Sequence, residues 1–399
     1  GNNTCGCLVD DDRNRLIRIA KNVSSDIVSS NDIVDAVLVT IPISKVTNIP
    51  NTDKDIMSLI KNNSDGWVLY YKYMQRNINR KNLVLLSLGG KETVLIGWKH
   101  NAFGVPNGFT KGNRNIPLGY AFDINHIPNG KAVSINDCSN RRLFQRGGTG
   151  KACKINSASI IGCGSLGGCI AEAIGTLGIL KVNLVDNECL SSDNIARHVA
   201  GYNYIGLDKV DAIKNLLNNH NPAIDIKAIS SDAHILIEKY PEKLNESDII
   251  FVAVGDIGVE NHIVQLFNGG CIVKPIVIFW VEPYSFGGHA ILIQRSQDLY
   301  EELFDKDTLE FKSRIIENPE SLFKREFGCQ SSYMPYSGFQ VKEFIYRVLE
   351  EIITSYLDTG NNYLFSWCGR LSDVAKYGLT VSEAYKDCDN YSLIVKRVD

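Results

Sequence analysis

Apolar and polar positions change their rhythm along the chain near residue 150. From Ser157 onward, short apolar runs alternate with amphipathic stretches. Residues 158–161 and 182–185 read as strands, and between them Leu166, Ile170, Ala173, Ile174 and Leu177 recur at helical spacing. Val210, Ile213, Leu216 and Leu217 mark another helix, and residues 224–229, 249–254 and 276–281 read as three more strands. Strand and helix in this alternation predict a doubly wound α/β fold, a parallel sheet covered on both faces. After Gln294 the pattern turns charged and helical through Glu317, and a last helix is predicted over 341–357.

The first part is mixed α/β. It holds an amphipathic stretch over 12–23, an apolar run over 34–43 and a helical pattern over 55–60. Residues 83–88 and 93–98 flank Gly89, Gly90 and Lys91, which predicts a hairpin, and the Gly-, Pro- and Asn-rich residues 101–117 predict a loop. The boundary falls near Arg146, Gly147 and Gly148, giving an N-terminal domain over 1–146 and a second domain over 147–399. No constellation of chemically active residues stands out in the first.

Length and charge narrow the function classes. A chain of 399 residues is too long for one small binding module, and 42 Lys+Arg against 45 Asp+Glu give no bulk attraction to nucleic acid. Apolar runs such as 276–281 are far short of a membrane span, and the N-terminal residues contain no apolar signal core, so a soluble cytosolic protein is expected. The 11 cysteines are scattered without a CxxC pair, which predicts reduced thiols and no structural zinc. The chain begins at Gly1 rather than Met, so further sequence is expected upstream.

The chemistry concentrates after the first strand of the second domain. Gly162, Gly164 and Gly167 form a GxGxxG at a strand-to-helix junction. Without side chains there, the backbone can turn tightly and approach a phosphate, whose charge is favoured by the N–H groups of the helix start. Asp186 ends the next strand, placed to accept from ribose hydroxyls. That pair fits a dinucleotide or ATP equally. Asn194 and Arg197, three residues apart and expected on one helical face, and Lys209, expected to open the next helix, favour a triphosphate, because two cations suit departing pyrophosphate. Asp256, in AVGDIG at a strand end, is a candidate ligand for magnesium (Mg2+), which takes one or two carboxylates beside substrate phosphates.

With these residues in this order, residues 140–295 resemble the ThiF/MoeB/HesA superfamily, which includes the ubiquitin-activating enzymes. The resemblance rests on GCGSLG, Asp186, the NIAR segment with Asn194 and Arg197, Lys209 and Asp256. It implies a Rossmann-like adenylation domain that activates a protein C-terminus with magnesium ATP. Asp186 would then hold the ribose, Arg197 and Lys209 the phosphates, and Asp256 the metal. It also implies a homodimer in which an arginine upstream of the glycine loop reaches the partner's site; Arg141, Arg142 and Arg146 are the candidates, Arg141 first.

The runs WVEPYSFGGHAIL and FGCQSSYMPYSG look more narrowly like the activating proteins of bacterial antiphage operons of the CBASS type. That resemblance implies a conjugating-enzyme-like domain or partner, and an acyl donor that is a ubiquitin-like protein or a cyclic-nucleotide synthase. An acyl adenylate must be passed on, and a thiolate is the natural acceptor. Cys329, after Gly328 in a polar stretch near Lys324 and Arg325, is the candidate within a segment inserted at about 295–338. Cys163 and Cys169 are expected to pack beside the glycine loop, and His198 and His289 to be structural. Two rival readings remain open: adenylation without a thioester, acting on a peptide, small substrate or tRNA, and a non-catalytic scaffold that binds a ubiquitin-like partner.

Overall fold

The computed structural model describes residues 7–9, 16, 35–42, 50–77, 82–88, 94–100, 130–138, 153–221, 224–305, 307–308, 310–317, 319, 324–325 and 332–398. The chain forms two compact units, Gly1–Gly150 and Lys151–Asp399.

In the first unit, β1 (Cys7–Val9) pairs in parallel with β6 (Ile135–Asp137). A second sheet runs β2 (Val37–Ile41), β3 (Asn82–Leu88), β4 (Val94–His100), β5 (Lys131–Val133). β3 and β4 pair antiparallel from Leu88 against Val94, as the apolar runs on either side of the predicted turn require. The helix expected over 55–60 is α1 (Asp53–Lys61), opened by a capping box between Thr52 and Asp55. α2 (Ser64–Asn77) follows it, and Trp67, Tyr70, Tyr71 and Met74 recur at helical spacing along the face that meets the core. Val39, Ile41, Ile56, Met57, Tyr70, Val84 and Trp98 share one core. The expectations for 12–23 apart from Leu16, for 101–117 and for the hairpin turn lie outside the described residues.

The second unit is built on one sheet in the order β18-β16-β12-β11-β10-β7-β8-β9. Five strands are parallel: β7 (Ser157–Ile161), β8 (Lys181–Asp186), β9 (Asp225–Ser230), β10 (Ile249–Val252) and β11 (Ile276–Val281). β12 (Gly287–Ile293), β16 (Asn362–Cys368) and β18 (Leu393–Val398) extend it antiparallel. Outside it, β13 (Ile316–Glu317) pairs with β17 (Thr380–Val381) and β14 (Lys324–Arg325) with β15 (Ser332–Tyr333). Alternate side chains of each central strand enter opposite layers, the period-two consequence of the pleat. Ala158, Ile160, Phe251 and Phe279 pack under α3 (Ser165–Thr176), α4 (Lys209–His220) and α8 (Gly338–Glu351). Ile161, Val252 and Ile278 pack under α5 (Ala233–Lys239) and α6 (Ile257–Asn268). The doubly wound sheet expected from the alternation is therefore present.

Two expectations need correction. Among the described residues of the charged stretch from Gln294 to Glu317, only α7 (Leu299–Leu303) is an α-helix. There Asp305 Oδ1 accepts from the N–H groups of Asp307 and Thr308 at 3.0 and 2.9 Å, a local turn that competes with helix continuation. The last helix begins at Gly338, capped by Ser337, and its α form ends at Glu351, followed by a π turn over Ile352–Tyr356.

The stretch between β12 and α8 is fastened to the sheet by a buried polar cluster. Glu282, just beyond β11, accepts from the N–H groups of Ile315 and Ile316 at 2.7 and 3.0 Å and from His289 Nε2 at 2.7 Å. His289 Nδ1 meets Ser366 Oγ at 3.1 Å, and Tyr385 donates to the same oxygen. Nε2 is thus paired with Glu282 and Nδ1 with Ser366, so both ring nitrogens of the buried His289 have a partner.

Candidate active site

The strand order reverses between β7 and β10, which opens a crevice at their carboxyl ends, where doubly wound sheets bind ligands. The glycine loop forms its floor. Gly162 turns the chain out of β7 at φ 88°, and a Cβ there would lie 2.5 Å from the carbonyl oxygen of Ala253, so only glycine fits. At Gly167 a Cβ would fall 1.8 Å from the Gly162 oxygen, which lets α3 start hard against the strand. Gly164 is different. It is the N-cap of α3, makes no side-chain cap bond, and a Cβ there would meet nothing within 4 Å. The open space beside the uncapped helix start fits a phosphate, which would take up the N–H groups that the cap leaves unanswered.

Asp186 ties that loop to the neighbouring strand. Its Oδ2 accepts from Cys163 N–H at 2.7 Å and its Oδ1 from Glu188 N–H at 2.8 Å. A carboxylate has about four acceptor positions, so capacity remains for ribose hydroxyls.

Asn194 and Arg197 do not share a regular helical face. Ser192–Asn194 is a 3-10 turn, and Asn194 Oδ1 folds back to accept from the Ser191 N–H and hydroxyl, both at 3.1 Å. The Arg197 guanidinium lies over the ring of Tyr336, 4.9 Å from its centroid, while its carbonyl accepts from Ser165 Oγ at 2.8 Å. His198 Nε2 lies 2.9 Å from the Cys163 carbonyl, and its Nδ1 accepts from Ala200 N–H at 3.1 Å. Ser165 and His198 thus fasten the 194–200 segment to the glycine loop at two points. Burial holds the His198 imidazole below its ordinary pKa, against the smaller upward effects of its backbone bonds.

Lys209 opens α4, as the amphipathic pattern predicts, but it is no surface cation. It is 6% exposed, its N–H donates to the Glu188 carbonyl at 2.9 Å, and its ammonium donates to the Glu188 carboxylate. Asp256 is the N-cap of α6, accepting from Gly258 and Val259 N–H at 2.8 and 3.2 Å, and its Oδ2 lies 3.9 Å from His234 Nε2. Among the described residues no group of three or more His, Cys, Asp or Glu could hold a metal. A single exposed carboxylate at this strand end still fits magnesium, which completes its shell with phosphates and water.

The expectations on Cys329 and on Arg141, Arg142 and Arg146 lie outside the described residues. Cys163 and Cys169 are buried; burial pushes the Cys163 thiol well up and that of Cys169 up to about 12, which leaves both inert near neutral pH. Glu188, Tyr336 and His198 join the site through tertiary contacts. Each stands near a sequence signal, Glu188 two residues beyond the strand-end acid, His198 next to Arg197 and Tyr336 within FGCQSSYMPYSG, but no local pattern shows the contacts they make. No described helix is long and apolar enough to cross a membrane.

A reversed-order parallel sheet, a glycine loop at its switch point and a strand-end acid bonded to that loop define a nucleotide-binding enzyme of the E1-like adenylyltransferase class. Residues 140–352, more than half of the chain, match the ThiF family, and the chain belongs to it. It is 24% identical over 183 residues to the ATP-dependent ubiquitin transferase-like protein Cap2 of Pseudomonas aeruginosa, covering 45% of this chain and 32% of that protein. The protein of the same name from Enterobacter hormaechei is 29% identical over 118 residues, 30% of this chain and 20% of that protein. The matches thus span a third or less of these curated relatives. Among solved structures, E. coli MccB with ATP is 22% identical with a TM-score of 0.30, covering 35% of this chain and 40% of that one. E. coli TcdA with AMP is 14% identical with a TM-score of 0.30, covering 38% and 59%.

Proposed function

We propose that the chain uses magnesium ATP to adenylate the C-terminal carboxylate of a protein and then takes the acyl group onto Cys329 as a thioester. One linked set of contacts carries the reading. Asp186 holds both the Cys163 N–H of the glycine loop and the Glu188 backbone, and the Glu188 side chain in turn holds Lys209. The ribose acid, the phosphate loop and a cation therefore belong to one hydrogen-bonded unit.

In this reading Asp186 accepts from the ribose, and the phosphates lie across Gly164 on the start of α3. Asn194 directs a hydrogen bond to them, and Lys209 exchanges its carboxylate partner for a phosphate oxygen. Arg197, standing over Tyr336, meets the charge that develops on the leaving group. Asp256 would hold magnesium, which when bound neutralises phosphate charge. An oxygen of the substrate carboxylate attacks the α-phosphorus, forming the acyl–phosphate bond as the bond to the β-phosphate oxygen breaks and pyrophosphate leaves. The Cys329 thiolate then attacks the acyl carbon and AMP leaves.

The motif resemblance and the similarity to the Cap2 proteins support an activating role in an antiphage conjugation system. The acyl donor would be a ubiquitin-like protein or a cyclic-nucleotide synthase, and the thioester would pass to a conjugating-enzyme-like partner. The active form would be a homodimer in which Arg141 reaches the partner's nucleotide. The test is pyrophosphate exchange into ATP with candidate C-terminal peptides. Exchange should depend on Asp256 and Arg197, while Cys329→Ala keeps exchange and loses a thiol-sensitive adduct. Exchange absent with every donor would sink the proposal, and an adduct that survives Cys329→Ala would remove the thioester step.

A further inference from the structure

Two thiols that the proposed chemistry does not use meet at one edge of the sheet. Cys368 is the last residue of β16, and Cys388 lies shortly before β18, the strand that pairs with it. Cys368 is buried among Phe286, Ile315, Val374 and Tyr385, and Cys388 packs half-buried against the same cluster. The two thiols share a hydrogen bond. The backbone around them is fixed. Cys368 N–H donates to the Ser392 carbonyl at 2.9 Å, Gly369 N–H to the Phe286 carbonyl at 2.9 Å and Cys388 N–H to the Tyr385 carbonyl at 3.0 Å. A Cβ at Gly369 would fall 2.0 Å from the Ser285 oxygen, so the chain leaves Cys368 pressed against its neighbour. Thiols close enough to share a hydrogen bond need little backbone movement to reach a disulfide, whose Cβ atoms stand about 3.5–4.5 Å apart.

The residues between the two cysteines grip the stretch ahead of α8. β17 pairs with β13 in the register Ile316 to Val381. Ser382 N–H donates to the Ile315 carbonyl at 2.8 Å, and its hydroxyl donates to the Arg314 carbonyl at 2.6 Å. Ile315 and Ile316 are the residues whose N–H groups Glu282 accepts. A bond between Cys368 and Cys388 would therefore close a loop on the residues that hold 313–317 to the sheet.

We propose that Cys368 and Cys388 are a redox-sensing dithiol, which a hydroperoxide oxidises to an intramolecular disulfide that locks residues 369–387 onto 313–317. Cys388, the more accessible of the two, reacts first. Its thiolate sulfur takes the distal oxygen of the hydroperoxide, the O–O bond breaks, and an alcohol or water leaves behind a sulfenic acid. The Cys368 sulfur then attacks that sulfenic sulfur. The S–S bond forms, the S–O bond breaks, and the Cys368 proton goes to the departing hydroxide, which leaves as water. The hydroperoxide gains the two electrons that the sulfurs lose. Burial, ahead of the neighbouring thiol, pushes the Cys368 thiol up to about 12, so it stays protonated and does not meet the oxidant itself. Exchange with a small dithiol reverses the bond. The inference is independent of the adenylation reading, because no residue of the nucleotide crevice takes part.

The experiment treats the full chain with hydrogen peroxide and maps its disulfides by mass spectrometry of unreduced peptides. The peptides of Cys368 and Cys388 should appear as one linked pair, lighter by two hydrogens, which dithiothreitol separates. The oxidised protein should melt about 5 °C higher or more, the effect of closing a loop of this size, and dithiothreitol should return it. Cys388→Ser should show neither the link nor the rise. The mapping on wild-type protein stands whether or not that variant folds. Cys388 recovered as sulfinic acid beside an unmodified Cys368 thiol, or either cysteine linked to a third, overturns the inference. So does a link without a rise in melting temperature, or a rise that persists in Cys388→Ser.

Discussion

The ammonium of Lys209, buried at the start of α4, is hydrogen-bonded to the carboxylate of Glu188, whose side chain is 67% exposed. The same glutamate is held through its backbone N–H by Asp186, so the cation is fixed relative to the glycine loop by a chain of bonds rather than by its own helix. A buried ammonium needs a counter-charge, and the exposed side of this pair lets one anion be exchanged for another.

That exchange is measurable. Glu188→Gln removes the resident anion and destabilises the ligand-free protein, by less than the roughly 3–5 kcal/mol of a fully buried broken pair because Glu188 reaches solvent. A phosphate that replaces the carboxylate restores what was lost, so saturating ATP should raise the melting temperature of Glu188→Gln more than that of the wild type. Equal thermal shifts would mean that Lys209 does not reach the nucleotide. Lys209→Met should lower the exchange rate about 10²-fold, the usual effect of removing one charge-stabilising donor.

Two glycines of one loop should respond in opposite ways. Gly164→Ser supplies a preferred N-cap side chain where there is open space, so stability should hold or rise by a few tenths of a kcal/mol, roughly. The same side chain occupies the phosphate cradle, and ATP affinity should fall by about tenfold or more. Gly167→Ala instead drives a methyl into the Gly162 carbonyl and should cost about 3 kcal/mol or more in urea unfolding. Isothermal titration with ATP and chemical denaturation report the two effects separately.

Asp256 combines a helix cap with a candidate metal carboxylate, and asparagine divides the roles. Asp256→Asn caps nearly as well, so its stability should stay within about 0.5 kcal/mol of wild type, while magnesium-dependent exchange falls about 10²-fold. Asp256→Ala should lose exchange and about 1 kcal/mol of stability together. An asparagine variant with full exchange would show that the residue only caps α6.

His198 makes stability depend on pH in a defined direction. Its folded-state pKa lies below the ordinary value of 6.5, so below that pH the unfolded chain binds the proton more readily. The contribution is fully present above 6.5 and is lost as pH falls toward and through the folded pKa. Protonation also turns Nδ1 from the acceptor of Ala200 N–H into a donor, which breaks that bond. Urea denaturation at steps between pH 7.5 and 5, roughly, should show a decline that is shallower in His198→Asn. Parallel pH profiles would place the acid sensitivity elsewhere.

Much of the second domain is legible in the sequence because its signals are local. The parallel core β7 to β11 announces itself as short apolar runs separated by helical periodicity, which follows from burial on both faces of the sheet. The strands β12, β16 and β18 do not, since they follow irregular stretches and pair antiparallel beyond the alternating units. The charged run after Gln294 reads as helix until Asp305 takes the backbone into a turn. In the site, Gly162, Gly167 and Asp186 are forced by chain geometry at strand ends and could be read directly.

The sequence by itself determined the alternation that winds the sheet, the glycines at its first turn and the acid at its second strand end, because each depends on neighbours a few residues away. Tertiary structure alone decided where the cations point: Lys209 inward to Glu188 and Arg197 onto Tyr336. A long flexible side chain takes its direction from the charges and rings that packing brings beside it, and those partners arrive from other loops whose placement the local pattern does not encode.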